Sequence, residues 1–238
     1  MIRRALPLFL FLSLLIVLLV GLSHLLPETE DAAAPLSVKI LREGEGNAVI
    51  FCCGGQTAVF STGTSEDAVD LTSHLRNYGC NQIDLLICTD VPQEIGPLEE
   101  AASVLRAARP VELSEQTVLI GEARLYISDT AAEGSFSLAV SHGTNDLLFL
   151  FGEDAQVSTG KDYDFVCFRA DAPIDGLLDA LEPKYAVLLA SDADAERTAE
   201  KALRNQSVKY MTTGKSSVSV YSDGTDLSLR PEFSAWDE

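Results

Sequence analysis

Short apolar runs bounded by turn residues recur along this chain, and their grouping constrains the fold more than any other feature. Strand-like segments are read at 37–41, 48–53, 57–61, 83–88, 117–120, 123–127, 137–140, 147–151, 165–168, 185–190, 217–221 and 226–229. Helix-like segments are read at 66–78, 97–108, 173–181 and 194–205. Asp171 with Ala172 and Pro173 supplies an N-cap and an N1 proline, and Asp194 is expected to cap the helix that runs on into Glu196. Two sets of strands, each followed by helices, predict an α/β chain folded as a four-layer αββα sandwich. With 238 residues and 47% hydrophobic content there is material for one sizeable core rather than two.

The amino-terminal end reads differently. Met1-Ile2-Arg3-Arg4 is followed by Ala5 to Leu26 without a charge, long enough to span a bilayer. A cleaved signal peptide and an uncleaved anchor both fit. The length of the run, Pro35 directly after Ala32-Ala33-Ala34, and the lack of a lipobox cysteine after the apolar core favour the anchor. Residues 1–27 are thus expected to be a membrane anchor or signal peptide, 28–35 an acidic linker, and 36–238 the folded domain. Arg3 and Arg4 would stay inside, which sends the rest of the chain outside the cytoplasm.

The formal net charge is −19, and the chain beyond Leu26 is more acidic still because two of the basic residues precede it. Such a surface repels nucleic acid, since gripping phosphate takes Lys and Arg to displace counterions. Arg3-Arg4 is the one adjacent basic pair in the sequence, so acidity is read mainly as a means of keeping the domain soluble. The five cysteines are odd in number, and Cys52-Cys53, Cys88 and Cys167 lie in or beside apolar strand patterns. Buried free thiols are the favoured state; a bridge between neighbouring strands, such as Cys53 with Cys80 or Cys88, stays open. Gly44-x-Gly46 and Gly54-Gly55 fit tight turns, and neither is followed by the Lys-Ser/Thr of a nucleotide loop.

One segment carries most of the chemical information: Ile83-Asp84-Leu85-Leu86-Ile87-Cys88-Thr89-Asp90-Val91-Pro92-Gln93-Glu94-Ile95-Gly96-Pro97-Leu98, a strand, a loop and the start of a helix. It resembles the active-site segment of the metallo-β-lactamase superfamily, where Thr-His-x-His-x-Asp-His-x-Gly-Gly holds zinc. Here the Thr, a Gly and the helix remain, without histidine. Other blocks come in the order of the same superfamily, and most closely resemble the C-terminal hydrolase-like domain of ComEC-type DNA-uptake proteins. Residues 36–51 resemble its opening strands, and Thr57 to Gly63 its hairpin ending in Asp-Thr-Gly. Tyr78-Gly79-Cys80 and Ile83-Asp84 resemble the lead into the motif strand. Asn145 to Ala155 resembles the strand ending in Gly-Asp-Ala, Phe165 to Ala170 the strand running into His-His-Gly, and Leu181 to Leu189 the Lys-Pro-Lys-Tyr-Ala-Val block. Tyr210 to Thr213 and Val218 to Leu229 resemble the terminal hairpin.

The resemblance implies zinc and a phosphodiesterase or nuclease linked to DNA uptake; the residues present argue otherwise. A two-zinc centre in this superfamily takes about five His-type ligands. The sequence has three histidines: His24 in the apolar run, His74 in the helix read at 66–78, and His142 before a turn. On the motif, Asp90 stands at the first His, Pro92 at the second, and Glu94 at the Asp or third His. Glu153 and Asp154 cover the bridging Asp, and Arg169-Ala170 stands at the final His pair. Ser61 replaces the Asp of Asp-Thr-Gly, which orients the site from behind. Asp90, Glu94, Glu153 and Asp154 together would form an oxygen-rich mouth. If any metal bound there, it would be Ca²⁺, Mg²⁺ or Mn²⁺ on Asp90 and Asp154; carboxylates on solvated loops are the favoured alternative. Arg169 would neutralise these carboxylates or pair an anionic ligand. His142 is expected to be a turn residue rather than a general base. Ser61-Thr62-Gly63 has no base placed by sequence to activate it.

The expectation is a non-catalytic, membrane-anchored, extracytoplasmic binding or assembly module of metallo-β-lactamase fold. It would carry no cofactor, and its partner is an unidentified protein or small molecule. The alternative is a metal-dependent hydrolase of the phosphodiesterase or nuclease type.

Overall fold

The computed structural model describes residues 34–43, 46–61, 75–80, 82–88, 116–129, 136–151, 161–170, 172, 174–189, 193–214 and 216–232. In chain order the elements are β1 (Leu36–Glu43), β2 (Gly46–Cys53), β3 (Gln56–Ser61), β4 (Leu85–Cys88), β5 (Gln116–Ile120), β6 (Ala123–Asp129), β7 (Phe136–His142), β8 (Asn145–Phe151), β9 (Phe165–Arg169), α1 (Ile174–Leu181), β10 (Tyr185–Leu189), α2 (Ala193–Asn205), β11 (Lys209–Thr212), β12 (Ser217–Ser222) and β13 (Leu227–Glu232). They form a six-stranded sheet, order β13-β12-β1-β2-β3-β4, and a seven-stranded sheet, order β11-β10-β9-β8-β7-β6-β5.

Period-2 alternation decides which core each side chain enters. Along β8, Leu147, Phe149 and Phe151 face the other sheet while Leu148 and Leu150 face the helices; along β9, Phe165 and Cys167 divide from Val166 and Phe168 in the same way. On the six-stranded sheet, Val49, Phe51 and Cys53 of β2 point inward and Ala48 and Ile50 outward. The layer between the sheets is centred on aromatic rings. Phe51 meets Phe149 edge-on at 5.1 Å between centroids, and Phe149 lies 5.4 Å from Phe165, an arrangement that suits the ring quadrupoles.

The outer face of the seven-stranded sheet is covered by Leu178 and Leu181 of α1 and by Ala199 and Leu203 of α2. The outer face of the six-stranded sheet is covered by Leu75, Cys80 and Ile83, with Tyr78 packed alongside. Helix, sheet, sheet and helical segment are therefore stacked in the order that the grouping of apolar runs predicts.

Several expectations need correction. Tyr210 to Thr213 is no part of a terminal hairpin: β11 is an edge strand of the other sheet, parallel to β10, and the hairpin is β12 with β13 alone. Ile83 and Asp84 precede β4 instead of opening it. Asp84 leaves the ladder to clamp Thr57, whose backbone N–H donates to Asp84 Oδ2 at 2.7 Å while Asp84 N–H donates to the Thr57 carbonyl at 2.8 Å. Asp194 is inside the first turn of α2, where its carboxylate meets Arg197 at 3.2 Å, so it does not cap the helix from outside. The helix read at 66–78 is described from residue 75 and ends after 77, and the one read at 97–108, like Asp171 and Pro173, lies outside the described residues. Ala34, read as linker, packs against the inter-sheet core.

Candidate functional site

Parallel pairing puts the carboxyl ends of several strands together. β3 and β4 run parallel with Ser61 opposite Cys88, and β8, β9, β10 and β11 run parallel in the second sheet. The two sets also face the same way. The turn before β3 meets the β5–β6 turn, where Gly121 N–H donates to Gln56 Oε1 at 2.7 Å, and β6 pairs its Arg124 with Ser141 beside the β7–β8 turn. The starts of β3 and β8 thus share one end of the sandwich, and the carboxyl ends of β3, β4, β8, β9 and β10 share the other. In α/β architectures that second end is where loops gather around ligands.

Arg169 is at this end. It closes β9, half-buried and in register with Leu189, and its carbonyl accepts from Ala172 N–H at 3.1 Å. Asp90, Glu94, Glu153 and Asp154 lie outside the described residues, as do Thr62 and Gly63. What the structure supplies is the strands that lead to them: β4 ends at Cys88 and β8 at Phe151, both at the Arg169 end.

His142 is at the opposite end. Its side chain is fully buried (0% exposed), Nδ1 sits 2.7 Å from Ser222 Oγ, and Nε2 sits 3.0 Å from the Ala34 carbonyl. Asn145 donates to the same Ser222 hydroxyl at 2.9 Å, so the β7–β8 and β12–β13 turns are sewn together. Thr144 N–H completes the seam by donating to the Gly224 carbonyl at 2.6 Å. Both imidazole nitrogens are occupied within the fold. The sequence reading of His142 as a turn residue is corrected: it closes β7, one residue before the turn at Gly143 and Thr144, and its ring is buried.

Sequence reasoning missed a polar cluster on the outer face of the six-stranded sheet. Lys39, 7% exposed, points outward from β1 and is enclosed there. Its ammonium donates to Ser219 Oγ at 2.6 Å and Tyr221 OH at 3.0 Å, pairs with Glu232, and stands 4.7 Å from the centre of the Tyr78 ring. Tyr78 OH donates to the other Glu232 oxygen at 2.6 Å. The Lys39 hydrogen bond holds the Tyr221 phenol below its ordinary pKa, with burial opposing. Every charge in this cluster is answered by a partner, so it joins β1, β12, β13 and the segment at Tyr78 structurally. Beside it opens a pocket of about 330 Å³ lined by Cys52, Gly55, Gln56, Thr57, Tyr78, Gly79, Cys80 and Gln82. Among the described residues, no group of three or more His, Cys, Asp or Glu is arranged to hold a metal ion.

Compared with solved structures, the chain superposes on the metallo-β-lactamase fold protein YhfI from Bacillus subtilis with a TM-score of 0.53 and 11% identity, over 74% of this chain and 96% of that one. This is a metallo-β-lactamase fold. A diphosphatase from the PhnP family aligns more loosely, with a TM-score of 0.43 and 9% identity over 65% of this chain and 85% of that one. At such identities the likeness is one of scaffold. No protein-family model and no curated protein matches the sequence.

Proposed function

We propose that this chain is a non-catalytic module of metallo-β-lactamase fold, similar to a detached C-terminal domain of the ComEC type. An uncleaved amino-terminal anchor holds it outside the cytoplasm, where it binds a protein or a small ligand at the end of the sandwich that carries Arg169. The zinc chemistry of the fold needs neutral imidazoles around an ion with an open position for an activated water. The sequence holds three histidines, and the single observation that carries the reading is the position of one of them. His142 has both nitrogens engaged, at the end of the sandwich away from Arg169. With His24 in the apolar run, the remaining imidazole, His74, cannot make a two-zinc set, so the residues do not fit that centre.

The acidic surface supports a partner other than nucleic acid. Arg169, standing where the fold's last histidines would be, supplies a cation to the mouth in place of a metal and suits an anionic group on the ligand. The test is zinc binding by the full-length chain in detergent, read by elemental analysis after exposure to zinc and gel filtration. The expected result is less than one zinc per chain, unchanged in an Asp90→Ala, Asp154→Ala variant. Two zinc ions per chain, lost in that variant, would overturn the reading.

A further inference from the structure

Cys52 and Cys80 meet on the outer face of the six-stranded sheet, and their geometry is that of a dithiol ready to close. Alternation along β2 sends Cys53 inward, where its thiol donates to the Ala34 carbonyl at 3.3 Å, and turns Cys52 outward. Cys80 is brought over Cys52 by a tight chain reversal: Gly79 takes a positive φ of 72°, and Cys80 N–H reaches back to the Leu75 carbonyl at 2.9 Å. The sulfurs, separated by 28 positions in sequence, stand 3.3 Å apart. A disulfide bond is about 2.05 Å long, so the sulfurs need approach by little more than about 1 Å. Cys52, Cys53, Cys80 and Cys167 are free thiols in the structure, the state favoured from the sequence; of the bridges left open there, Cys53 with Cys80 or Cys88, the first is not the pair in contact, because Cys53 faces inward and Cys52 stands beside Cys80.

We propose that Cys52 and Cys80 form a reversible intrachain disulfide by exchange with low-molecular-weight disulfides such as oxidised glutathione. Both cysteines line the open pocket beside Tyr78, with exposed Gly55, Gln56, Gly79 and Gln82 at its rim, so a small disulfide can reach them. The Cys80 thiolate attacks one sulfur of the incoming disulfide, forming a mixed disulfide and releasing one small thiolate. Cys52 then gives up its proton to solvent and attacks Cys80 Sγ, releasing the second. Two protein thiols are oxidised to one disulfide, and one small disulfide is reduced to two thiols.

The pair is also polarised for this order of events. A hydrogen bond from Cys52 holds the Cys80 thiol down to about 6, against the desolvation that opposes it, while the same pairing, with burial, pushes Cys52 up. Cys167, enclosed between the sheets, is pushed up by burial alone and has no thiol partner among the described residues. Closing the bond fixes the turn at Tyr78 to β2. That ties down the residue whose hydroxyl holds Glu232 and whose ring faces the Lys39 ammonium. The inference does not depend on whether the domain hydrolyses anything.

The test equilibrates the full-length chain in glutathione buffers from reducing to oxidising, quenches with acid, alkylates free thiols in denaturant and maps the peptides. Cys52 and Cys80 are expected to lose alkylation together and to appear as one cross-linked peptide pair, reversed by dithiothreitol, while Cys167 stays alkylatable throughout. In a Cys52→Ser chain the resolving thiol is gone, and Cys80 is expected to accumulate a stable glutathione adduct. Two outcomes would overturn the proposal: both thiols persisting in the most oxidising buffer, or Cys80 pairing with a cysteine other than Cys52 in the wild-type chain. Because the peptide map is made on the wild-type protein, it decides the question even if the variant fails to fold.

Discussion

Single residues show where the sequence speaks and where it falls silent. His142 beside Gly143 announces a turn, and the turn is there; its partners Ser222 and Ala34 lie far away in sequence, and nothing local points to them. Removing the ring strands a hydroxyl and a carbonyl in the interior and leaves a cavity. His142→Ala is expected to lower stability by about 2–4 kcal/mol, read from the urea midpoint. Lys39 falls at an outward position of β1, which usually means solvent; here Tyr78, Tyr221 and Glu232 close over it. Lys39→Ala leaves Glu232 without its cation and is expected to cost about 3–5 kcal/mol, whereas a paired Lys39→Met, Glu232→Leu change recovers most of that loss. Urea melts of the three variants separate these outcomes. Asp164 sets a pH dependence. Burial works against its charge, but the Lys184 ammonium at 2.6 Å and the Asp146 N–H at 3.1 Å outweigh that and hold the carboxyl below its ordinary range. A depressed carboxylate adds stability that is complete above the unfolded value of about 4 and is lost as pH falls through the lower folded value. Thermal melts across that window should show a shallower acid loss for Asp164→Asn than for the wild type.

At the level of elements, the apolar alternation of β2, β8 and β9 was readable because one period specifies both a strand and the side each residue faces. The same rule, applied one residue more carefully, separates Cys52 from Cys53. Helix α2 begins one residue before the expected start, a shift that takes Asp194 from the cap into the first turn. β11 escaped notice as a strand of its own because Lys209–Thr212 is four residues long and half-buried, an edge strand with a weak apolar signature. Its place beside β10 follows from the crossover through α2, which returns the chain parallel in the same sheet. The turn joining β7 to β8 depends on Gly143. Its φ is 59°, and a Cβ there would collide with the Gly224 backbone of the facing turn. Gly143→Ala is expected to cost about 3 kcal/mol by chemical denaturation, more than the roughly 1–2 kcal/mol of a left-handed L-residue in open space.

For the whole molecule, two sheets with helical layers outside could be deduced from the order of apolar runs, because burial on both faces of a sheet leaves few other arrangements. The charged side chains expected at the carboxyl ends of the strands rest on a resemblance to one motif. Residues 83–98 contain no histidine, and Asp90, Glu94, Glu153 and Asp154 lie outside the described residues. The scaffold is that of the fold, the absence of its zinc centre is what we propose, and fold alone gives no licence for activity. Hydrolysis of bis-p-nitrophenyl phosphate by the full-length chain, supplied with Zn²⁺ or Mn²⁺ and compared with an Asp90→Ala, Asp154→Ala variant, tests this most directly. Both proteins are expected to give the same rate as buffer containing the metal alone. Turnover by the wild-type chain that disappears in the variant would contradict it.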